Sequence, residues 1–407
     1  MCFSILGVYY PLNNLIKFYI YVFLSNCRFY STVWILFLLD RGLSWPEITT
    51  LDVVYWGVII LLSLPVGVIM DRFGRKKGLI AGDLFIAIGL TIFVFNPTVI
   101  GVFLAYIVWS SGFACINGPN QAFLYDYLKT ENMVDRFPSA WRNAIIIANL
   151  AWAFASLIGG FLAKEDLGYP FFLAIPFLAL GGIFAFSFEE KRPPKEETVS
   201  SFELLREAVS ITRNTSKIQF LFILNAVVMC LTFIEVIFRA PYLEGFGFDE
   251  GDLGVIYLVL ILLAAGGVYL SQLISQKISD HMSFLLISWF IALGLFSLSQ
   301  ASKYSALVII LFLAISRGVT RPLVANILNK WIPSRVRASM ITLGSGISLI
   351  FLLFLEPLSG LIAETLSIRE ALMILSSINM VILFAFSILW IRSLKRSNTL
   401  ESQKIIL

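Results

Sequence analysis

Among the charged side chains that lie inside long apolar stretches of the sequence, five are candidates for binding a substrate or carrying a proton. They are Arg28, Glu235, Arg317, Arg321 and Glu356. If these stretches cross a membrane, each charge costs roughly 2.5–3.5 kcal/mol at mid-bilayer, so it should face a partner or a polar cavity. A guanidinium group recognises carboxylate or phosphate, and a buried carboxyl group can carry a proton. These residue types therefore indicate anion binding and proton transfer.

Arg28 and Arg317 lie closest to the middles of their stretches. We hypothesise that they form a two-arginine clamp for an anionic group of a substrate. The alternative is an internal ion pair of either arginine with Glu235 or Glu356. Glu235 also stands four residues before Arg239, a spacing that favours a local pair on one helix. Glu235 and Glu356 are the candidate carriers of a coupling proton.

The composition is that of a membrane protein. Of the 407 residues, 58% are hydrophobic and 14% are charged, and the mean hydropathy is +0.87. A soluble domain is about a quarter charged and less than half apolar. The net charge of +4 does not indicate nucleic-acid binding, because the position of the bases along the chain matters more than their sum.

Most of the residue sets that enzymes use are missing from the sequence. The four cysteines show no C-x-x-C spacing, and the one histidine, His281, cannot form a metal-ligand set by itself. We find no G-x-x-x-x-G-K-[ST] loop for a nucleotide and no nucleophile with a neighbouring base. The sequence therefore predicts a protein that is not an enzyme and that needs no metal or cofactor beyond a coupling proton.

Twelve apolar runs approach or exceed the roughly 20 residues that a membrane helix needs. They cover residues 14–39, 52–70, 78–95, 99–128, 140–163, 169–188, 218–243, 253–275, 283–300, 304–329, 336–364 and 370–392. Lys and Arg are concentrated in alternate joints, which predicts that both termini are cytoplasmic in a cell membrane. The fold class is thus an all-α membrane protein with twelve transmembrane helices.

A polar segment at residues 191–217 separates two sets of six runs. Segments starting at Gly160 and at Gly42 match later segments without gaps, at offsets of 200 and 205 residues. Such a repeat predicts two six-helix halves. The predicted boundaries are 1–190 for the N-terminal half, 191–217 for a cytoplasmic linker, 218–395 for the C-terminal half and 396–407 for a cytoplasmic tail. Residues 200–214 fit either a short amphipathic helix on the membrane surface or a solvated linker.

A charged loop joins the second and third runs. It extends from Gly67 to Lys77 with the sequence G-V-I-M-D-R-F-G-R-K-K. This pattern resembles the loop signature between helices 2 and 3 of the major facilitator superfamily. The resemblance implies two halves that transport a solute by alternating access. It also implies a cytoplasmic gate built from Gly67, Asp71, Arg72, Gly74, Arg75, Lys76 and Asp126.

Within this gate, the resemblance assigns separate contacts to the charged residues. It has Asp71 cap the start of helix 11, and it has Arg75 meet an acid at the inner end of helix 4. Asp126 stands at the position for that acid. The glycines allow close backbone approach or a tight turn. The alternative is that these charges only set the membrane topology.

The resemblance further implies that helices 1, 4, 7 and 10 line a central cavity. We predict that substrate contacts come from polar residues on these runs, namely Arg28, Asn117, Asn120, Gln121, Glu235, Arg317 and Arg321. The fifth run ends in the glycine pair Gly159-Gly160, as in the antiporter signature of the family, but it lacks the Gly-Pro pair of that signature. This departure weakens the likeness to drug/proton antiporters.

We therefore expect a secondary transporter of a small organic anion or another metabolite. Proton-coupled export of drugs is the alternative among transporters, and a transport-dead membrane sensor is the alternative outside them. The expected partners are a small-molecule substrate and the lipid bilayer, without nucleic acid. The protein is expected to act as a monomer.

Overall fold

The computed structural model describes residues 2–5, 8–11, 14–96, 98–190 and 201–406. Two short strands, β1 (Cys2–Ile5) and β2 (Val8–Pro11), pair antiparallel ahead of the first helix. All other regular structure in the described ranges is helical. The predicted all-α membrane class is thus confirmed, with this hairpin as a small addition.

Fourteen α-helices occupy the described ranges; α8 lies in the polar segment, α1 and α2 divide the first apolar run, and each of the others overlaps one of the remaining runs. The first seven are α1 (Asn14–Ser25), α2 (Trp34–Asp40), α3 (Trp45–Phe73), α4 (Arg75–Phe95), α5 (Val99–Thr130), α6 (Phe137–Ala163) and α7 (Tyr169–Ala185). The others are α8 (Ser201–Asn214), α9 (Ser216–Glu244), α10 (Glu250–Lys277), α11 (Asp280–Ser299), α12 (Lys303–Trp331), α13 (Arg337–Thr365) and α14 (Ile368–Ile406). Ten of them, α3 to α6 and α9 to α14, are long and apolar enough to cross a membrane, while α1 and α7 are shorter apolar helices.

The first predicted span is interrupted. Helix α1 ends at Ser25, a 3-10 turn covers Phe29–Thr32, and α2 begins at Trp34. Non-helical backbone at membrane depth is tolerated only where it is buried in protein or lines a polar cavity. Arg28 lies in this interruption, which the continuous apolar pattern of the sequence does not reveal.

The chain forms two compact units, which we describe separately. Unit 1 comprises Met1–Leu43, Val54–Glu196 and Phe248–Ile261, and unit 2 comprises Ser44–Val53, Glu197–Gly247 and Leu262–Leu407. The long helices α3 and α10 therefore each contribute to both units. The boundaries of the two sequence halves stay a prediction. Residues 191–200 of the predicted linker and Leu407 of the predicted tail lie outside the described residues.

Glycines at corresponding positions of the sequence repeat make close helix contacts in each unit. In unit 1, a Cβ atom on Gly160 of α6 would lie 2.5 Å from the Cα atom of Gly254 in α10. In unit 2, a Cβ atom on Gly360 of α13 would lie 2.3 Å from the hydroxyl of Thr49 in α3. Only glycine permits such an approach at either position.

The turns before α3 and α10 also share a backbone conformation. Gly42 and Gly247 have left-handed φ angles of 78° and 79°, a region that favours glycine over other residues. These two glycines are the first residues of the matching segments found at an offset of 205 residues. The internal repeat therefore extends from the sequence to the backbone.

The polar segment after residue 200 contains helix α8, which packs within unit 2. In α8, Ala208 is fully buried, and the Thr212 hydroxyl lies 3.6 Å from the sulfur of Met340 in α13. Glu207 forms an ion pair with Arg335 at 2.6 Å. The predicted helix is therefore present, and its buried face contacts α13.

Candidate functional site

The charged turn between α3 and α4 is tighter than the sequence suggests. Helix α3 continues through Phe73, Gly74 turns the chain with a φ of 104°, and α4 begins at Arg75. A side chain at position 74 would strain this left-handed conformation. One residue thus separates the two helices, and the predicted loop charges lie on the helix ends.

Arg75 connects this turn to the end of α5. Its Nη1 atom lies 2.6 Å from Oδ2 of Asp126, and its Nη2 atom lies 3.5 Å from Oδ1 of Asp71. The Arg75 and Asp126 side chains are about a quarter exposed, whereas Asp71 is mostly exposed. The structure thus brings three predicted gate residues together within unit 1, and their role in gating stays a prediction.

Glu190 caps the start of α4, a role that sequence reasoning missed. Its Oε1 atom accepts a hydrogen bond of 2.6 Å from the backbone amide of Arg75. The first amides of a helix lack partners within the helix, and the helix dipole favours a carboxylate there. Lys76 reaches the same segment by donating to the carbonyls of Phe186 and Phe188, both at 2.8 Å.

Two other predicted gate residues have different surroundings. Arg72 lies exposed in the last turn of α3. Gly67 lies in the middle of the last third of α3, and a Cβ atom added there would meet no atom within 4 Å. Among the described residues, no backbone approaches Gly67 closely, and its place in the gate stays a prediction.

Arg28 lies over aromatic rings in the interruption of the first span. Its guanidinium carbon is 4.6 Å from the ring centre of Phe113 in α5 and 5.9 Å from that of Trp152 in α6. Its Nη2 atom lies 3.5 Å from Asn26 Oδ1, and its Nε atom has no hydrogen-bond partner. Within the described part of the chain, the structure pairs Arg28 with no carboxylate at salt-bridge distance. Stacking orients the guanidinium group while its charge stays available.

The backbone next to Arg28 is fixed by helix α6. A Cβ atom on Gly159 would lie 1.8 Å from the carbonyl oxygen of Phe29, so the 3-10 turn rests directly on the helix backbone. The Ser31 hydroxyl accepts a hydrogen bond of 2.8 Å from the Trp152 indole and lies 3.0 Å from the hydroxyl of Ser156. The small residues of the fifth run thus serve close packing.

The predicted polar residues of α5 follow Phe113, the ring that Arg28 stacks over, along the same helix. Asn117 follows Phe113 by four residues, and Asn120 and Gln121 follow about one turn later, which places them along one helix face. Asn117 and Gln121 are exposed, whereas the Oδ1 atom of Asn120 is buried without a hydrogen-bond partner. This face therefore offers amide groups one to two helical turns after Phe113, the ring that Arg28 stacks over.

Unit 2 contains a buried ion cluster. Glu235 in α9 accepts two hydrogen bonds from Arg239, at 2.7 and 2.5 Å, and both side chains are at most 4% exposed. Arg317 in α12 lies 3.4 Å from the same carboxylate. The predicted internal ion pair is therefore present for Arg317. Arg321 follows four residues later on α12 and is exposed.

Glu356 has a second carboxyl group as its neighbour. Its side chain in α13 is fully buried, and that of Asp52 in α3 is 8% exposed. The two groups interact electrostatically, although neither Glu356 oxygen makes a hydrogen bond of standard geometry. Two adjacent carboxylates repel each other, so such a pair favours retention of a proton. Asp52 was not identified from the sequence.

An exposed ion pair joins α6 to the segment before α10 in unit 1. Lys164 Nζ lies 2.8 Å from Asp249 Oδ2. The hydrogen bond from Lys164 lowers the pKa of Asp249, and the same contact raises the pKa of Lys164.

Among the described residues, no group of three His, Cys, Asp or Glu side chains could hold a metal ion.

Ten long apolar helices in the described ranges, some with buried charged side chains such as Glu235, Arg239 and Glu356, define a helical integral membrane protein. The family model described as Major Facilitator Superfamily matches residues 18–316. The chain belongs to this family, and its function is secondary transport.

Known relatives agree with this assignment. The chain is 24% identical over 348 residues to the uncharacterized MFS-type transporter YxaM of Bacillus subtilis (strain 168), a match covering 83% of this chain and 85% of the relative. A crystal structure of nucleoside transporter NupG matches 92% of this chain and 98% of its own, with a TM-score of 0.79 and 15% identity. A crystal structure of a bacterial homologue of the human lysosomal transporter Spinster matches 93% of this chain and 96% of its own, with a TM-score of 0.76 and 16% identity. These structures share the fold.

Proposed function

We propose that the protein transports a small organic anion across the cell membrane by alternating access, without catalysing a reaction. Both termini are placed on the cytoplasmic side, as the distribution of Lys and Arg indicates. The anionic group, a carboxylate or phosphate, binds Arg28. The amide groups of Asn117, Asn120 and Gln121 contact other polar atoms of the substrate.

The observation that carries this proposal is the state of Arg28. A half-buried guanidinium group inside an apolar stretch normally has a carboxylate partner, because an isolated charge there is costly. Arg28 instead stacks over Phe113 at 4.6 Å in a break of the first span. A substrate anion would supply the carboxylate or phosphate that Arg28 lacks at salt-bridge distance among the described residues.

Arg317 and Arg321 are proposed to assist from unit 2. Arg317 and Arg239 both lie within 4 Å of the Glu235 carboxylate, so two guanidinium groups meet at this point of unit 2. A contribution of Arg317 to anion binding is compatible with its ion pair, and the two-arginine clamp remains a hypothesis.

Proton coupling is proposed at Glu356 rather than at Glu235. The two arginines around Glu235 stabilise its carboxylate form, which opposes proton uptake. Glu356 instead has Asp52 as its neighbour, and burial beside a second acid favours a bound proton. A proton could thus be bound and released at Glu356 during the cycle.

A thermal-shift screen in mild detergent tests the substrate class. Organic anions, sugars and lipophilic cations are added at several concentrations, since a ligand that binds the folded state raises the melting temperature. Anions should raise it in the wild type, and Arg28→Gln should weaken their binding. A lost charge-assisted hydrogen bond costs about 1.5–3 kcal/mol, or roughly 10- to 100-fold in affinity.

Two controls make the screen decisive. Arg136→Gln removes an exposed arginine and should leave anion binding unchanged. Arg28→Lys keeps the charge but loses the planar, two-pronged geometry, so it should bind anions with intermediate affinity. Shifts produced only by lipophilic cations, equal in wild type and Arg28→Gln, would favour drug export and contradict the anion proposal.

A further inference from the structure

Asp83 forms a buried polar cluster in unit 1 that the proposed transport site does not include. It lies in α4 and is fully buried. Its Oδ2 atom accepts a hydrogen bond of 2.6 Å from the hydroxyl of Ser25 in α1, whereas its Oδ1 atom has no hydrogen-bond partner. The Tyr21 hydroxyl, one turn before Ser25, interacts with the same carboxyl group without reaching standard hydrogen-bond geometry.

The polar side chains of this cluster pack against Gly181 of helix α7, where a larger side chain would not fit. A Cβ atom on Gly181 would lie 2.8 Å from Asp83 Oδ2 and 2.9 Å from the Ser25 hydroxyl. Gly182, the next residue, likewise approaches Asp83 without contributing a side chain. The backbone of α7 therefore closes the cluster and provides no charged group for Asp83.

Few titratable groups face Asp83 from the helices around it. Helix α1 provides Tyr21, and the break after α1 provides Arg28, which interacts electrostatically with Asp83. Helix α5 provides Cys115, whose backbone carbonyl packs on Gly78 of α4, somewhat more than one turn before Asp83. Arg28 is therefore the cation that balances an ionised Asp83.

The Ser25 hydrogen bond alone does not compensate a buried charge. A carboxylate removed from water needs several donors or a directly bound cation, whereas a neutral carboxyl group with one satisfied oxygen is far less costly. Asp83 has one hydrogen bond of standard geometry and no ion pair within 4 Å in the described ranges. This arrangement suits a group that binds and releases a proton.

We propose that Asp83 is a proton-binding site linked to the anion at Arg28. When an anion occupies Arg28, the charge of the arginine is neutralised, and Asp83 takes one proton from the water phase. When the anion leaves, Asp83 releases this proton to water and its carboxylate is balanced by Arg28. One proton is thus exchanged per anion, and the total charge of the site is conserved. The link to the anion rests on the function proposed for Arg28.

Infrared difference spectroscopy of the protein in lipid tests the proton site directly. A protonated carboxyl group has a carbonyl band that a carboxylate lacks, so a pH series reports its proton. A band should disappear in Asp83→Asn and remain in the matched variant Asp249→Asn, which removes an exposed acid. Ser25→Ala keeps Asp83 but removes its hydrogen bond, so it should shift the same band and provides a test should Asp83→Asn fold poorly.

The link to the anion is tested by binding at several pH values. With one proton taken up per anion, affinity should fall by up to about tenfold per pH unit above the range where Asp83 is protonated. Asp83→Asn should remove this dependence, and the matched variant Asp249→Asn, which removes an exposed acid, should leave it in place. An unchanged dependence in Asp83→Asn would overturn the link.

The two proposals can fail separately. If the Asp83 band is present in wild type and in Arg28→Gln, the proton site stands even when no anion in the panel binds, and only the substrate proposal fails. If Asp83→Asn loses no carbonyl band and Ser25→Ala shifts none, Asp83 is not a proton site, whatever binds at Arg28.

Discussion

Arg75 Nη1 lies 2.6 Å from Asp126 Oδ2, and this contact joins the α3–α4 turn to the end of α5. The two residues are 51 positions apart in the sequence, and their contact was expected from the resemblance of the charged loop to the family signature, with Asp126 at the position of the matching acid. Charges in this turn therefore form a specific side-chain pair, and their role in gating stays a prediction.

Reversal of the charge at Asp126 should slow transport. Asp126→Lys replaces an ion pair with a repulsion, and the loss of a charged hydrogen bond is worth about 1.5–3 kcal/mol. If the transport cycle depends on this pair, the rate in proteoliposomes should fall roughly tenfold or more, while anion binding stays measurable. Asp135→Lys reverses an exposed acid nearby and should be tolerated. Full activity of Asp126→Lys would remove Asp126 from the gate.

Removal of the Glu235 carboxylate should destabilise the protein. Glu235→Gln leaves Arg239 and Arg317 beside a neutral amide. The site is buried, because the side chains of Glu235 and Arg239 are only 3% and 4% exposed. Breaking a buried ion pair by removing one partner costs about 3–5 kcal/mol. We expect a clearly lower melting temperature in detergent. Glu165→Gln, which neutralises an exposed acid after the end of α6, should melt like the wild type.

A double substitution separates charge from packing in this cluster. Glu235→Leu combined with Arg239→Met removes both charges of the Glu235–Arg239 pair and fills its space with apolar side chains of similar volume. Such replacements are often neutral or stabilising. The double variant should therefore melt above Glu235→Gln. If it melts lower, the shape of the cluster matters more than its charge balance.

Glu356 should respond in the opposite way to the same substitution. If Glu356 holds a proton beside Asp52, a glutamine resembles its neutral form, and stability should change by no more than about 1 kcal/mol. Proton-driven transport should nevertheless be lost, because an amide cannot release a proton. The measurement compares melting temperature with uptake driven by a pH gradient. A large loss of stability would show that the Glu356 carboxylate is ionised and structurally required.

The fold was predictable from the sequence because membrane helices depend on long apolar runs, and such runs are visible without tertiary information. The break around Arg28 was not, because its residues remain apolar on both sides and the turn is imposed by packing of Phe29 on Gly159. Asp52 and Asp83 were missed for different reasons. Asp83 is a single acid inside an apolar run. It could have been selected, like Glu235, because a charge inside a membrane span needs a partner or a polar cavity. Asp52 lies near a helix end, where an acid usually meets water.

The Lys164–Asp249 pair predicts a pH dependence of stability. Because the folded pKa of Asp249 is lowered, its contribution is present at neutral pH and is lost as pH falls through that pKa. Because the folded pKa of Lys164 is raised, its contribution is lost only as pH rises through that raised value. Lys164→Met should therefore melt below wild type at neutral pH, and the difference should shrink toward both extremes. Lys277→Met, at the exposed end of α10, is the control, and a difference independent of pH would contradict the pair.

Gly67 and Gly57 provide a matched test of the predicted gate. Both lie in α3, and a Cβ atom at either position would meet nothing within 4 Å. Alanine in place of an open helical glycine stabilises by roughly 0.5–1 kcal/mol, so both alanine variants should melt at or above the wild-type temperature.

Transport should distinguish these two glycines. If the cycle includes a state in which another backbone approaches Gly67, then Gly67→Ala should slow transport because the added methyl group obstructs that approach. Gly57→Ala should transport at the wild-type rate, since the charged turn is more than three helical turns away. Equal rates for both variants would mean that Gly67 needs no close approach at any stage, and the gate would then consist of the charged residues and Gly74.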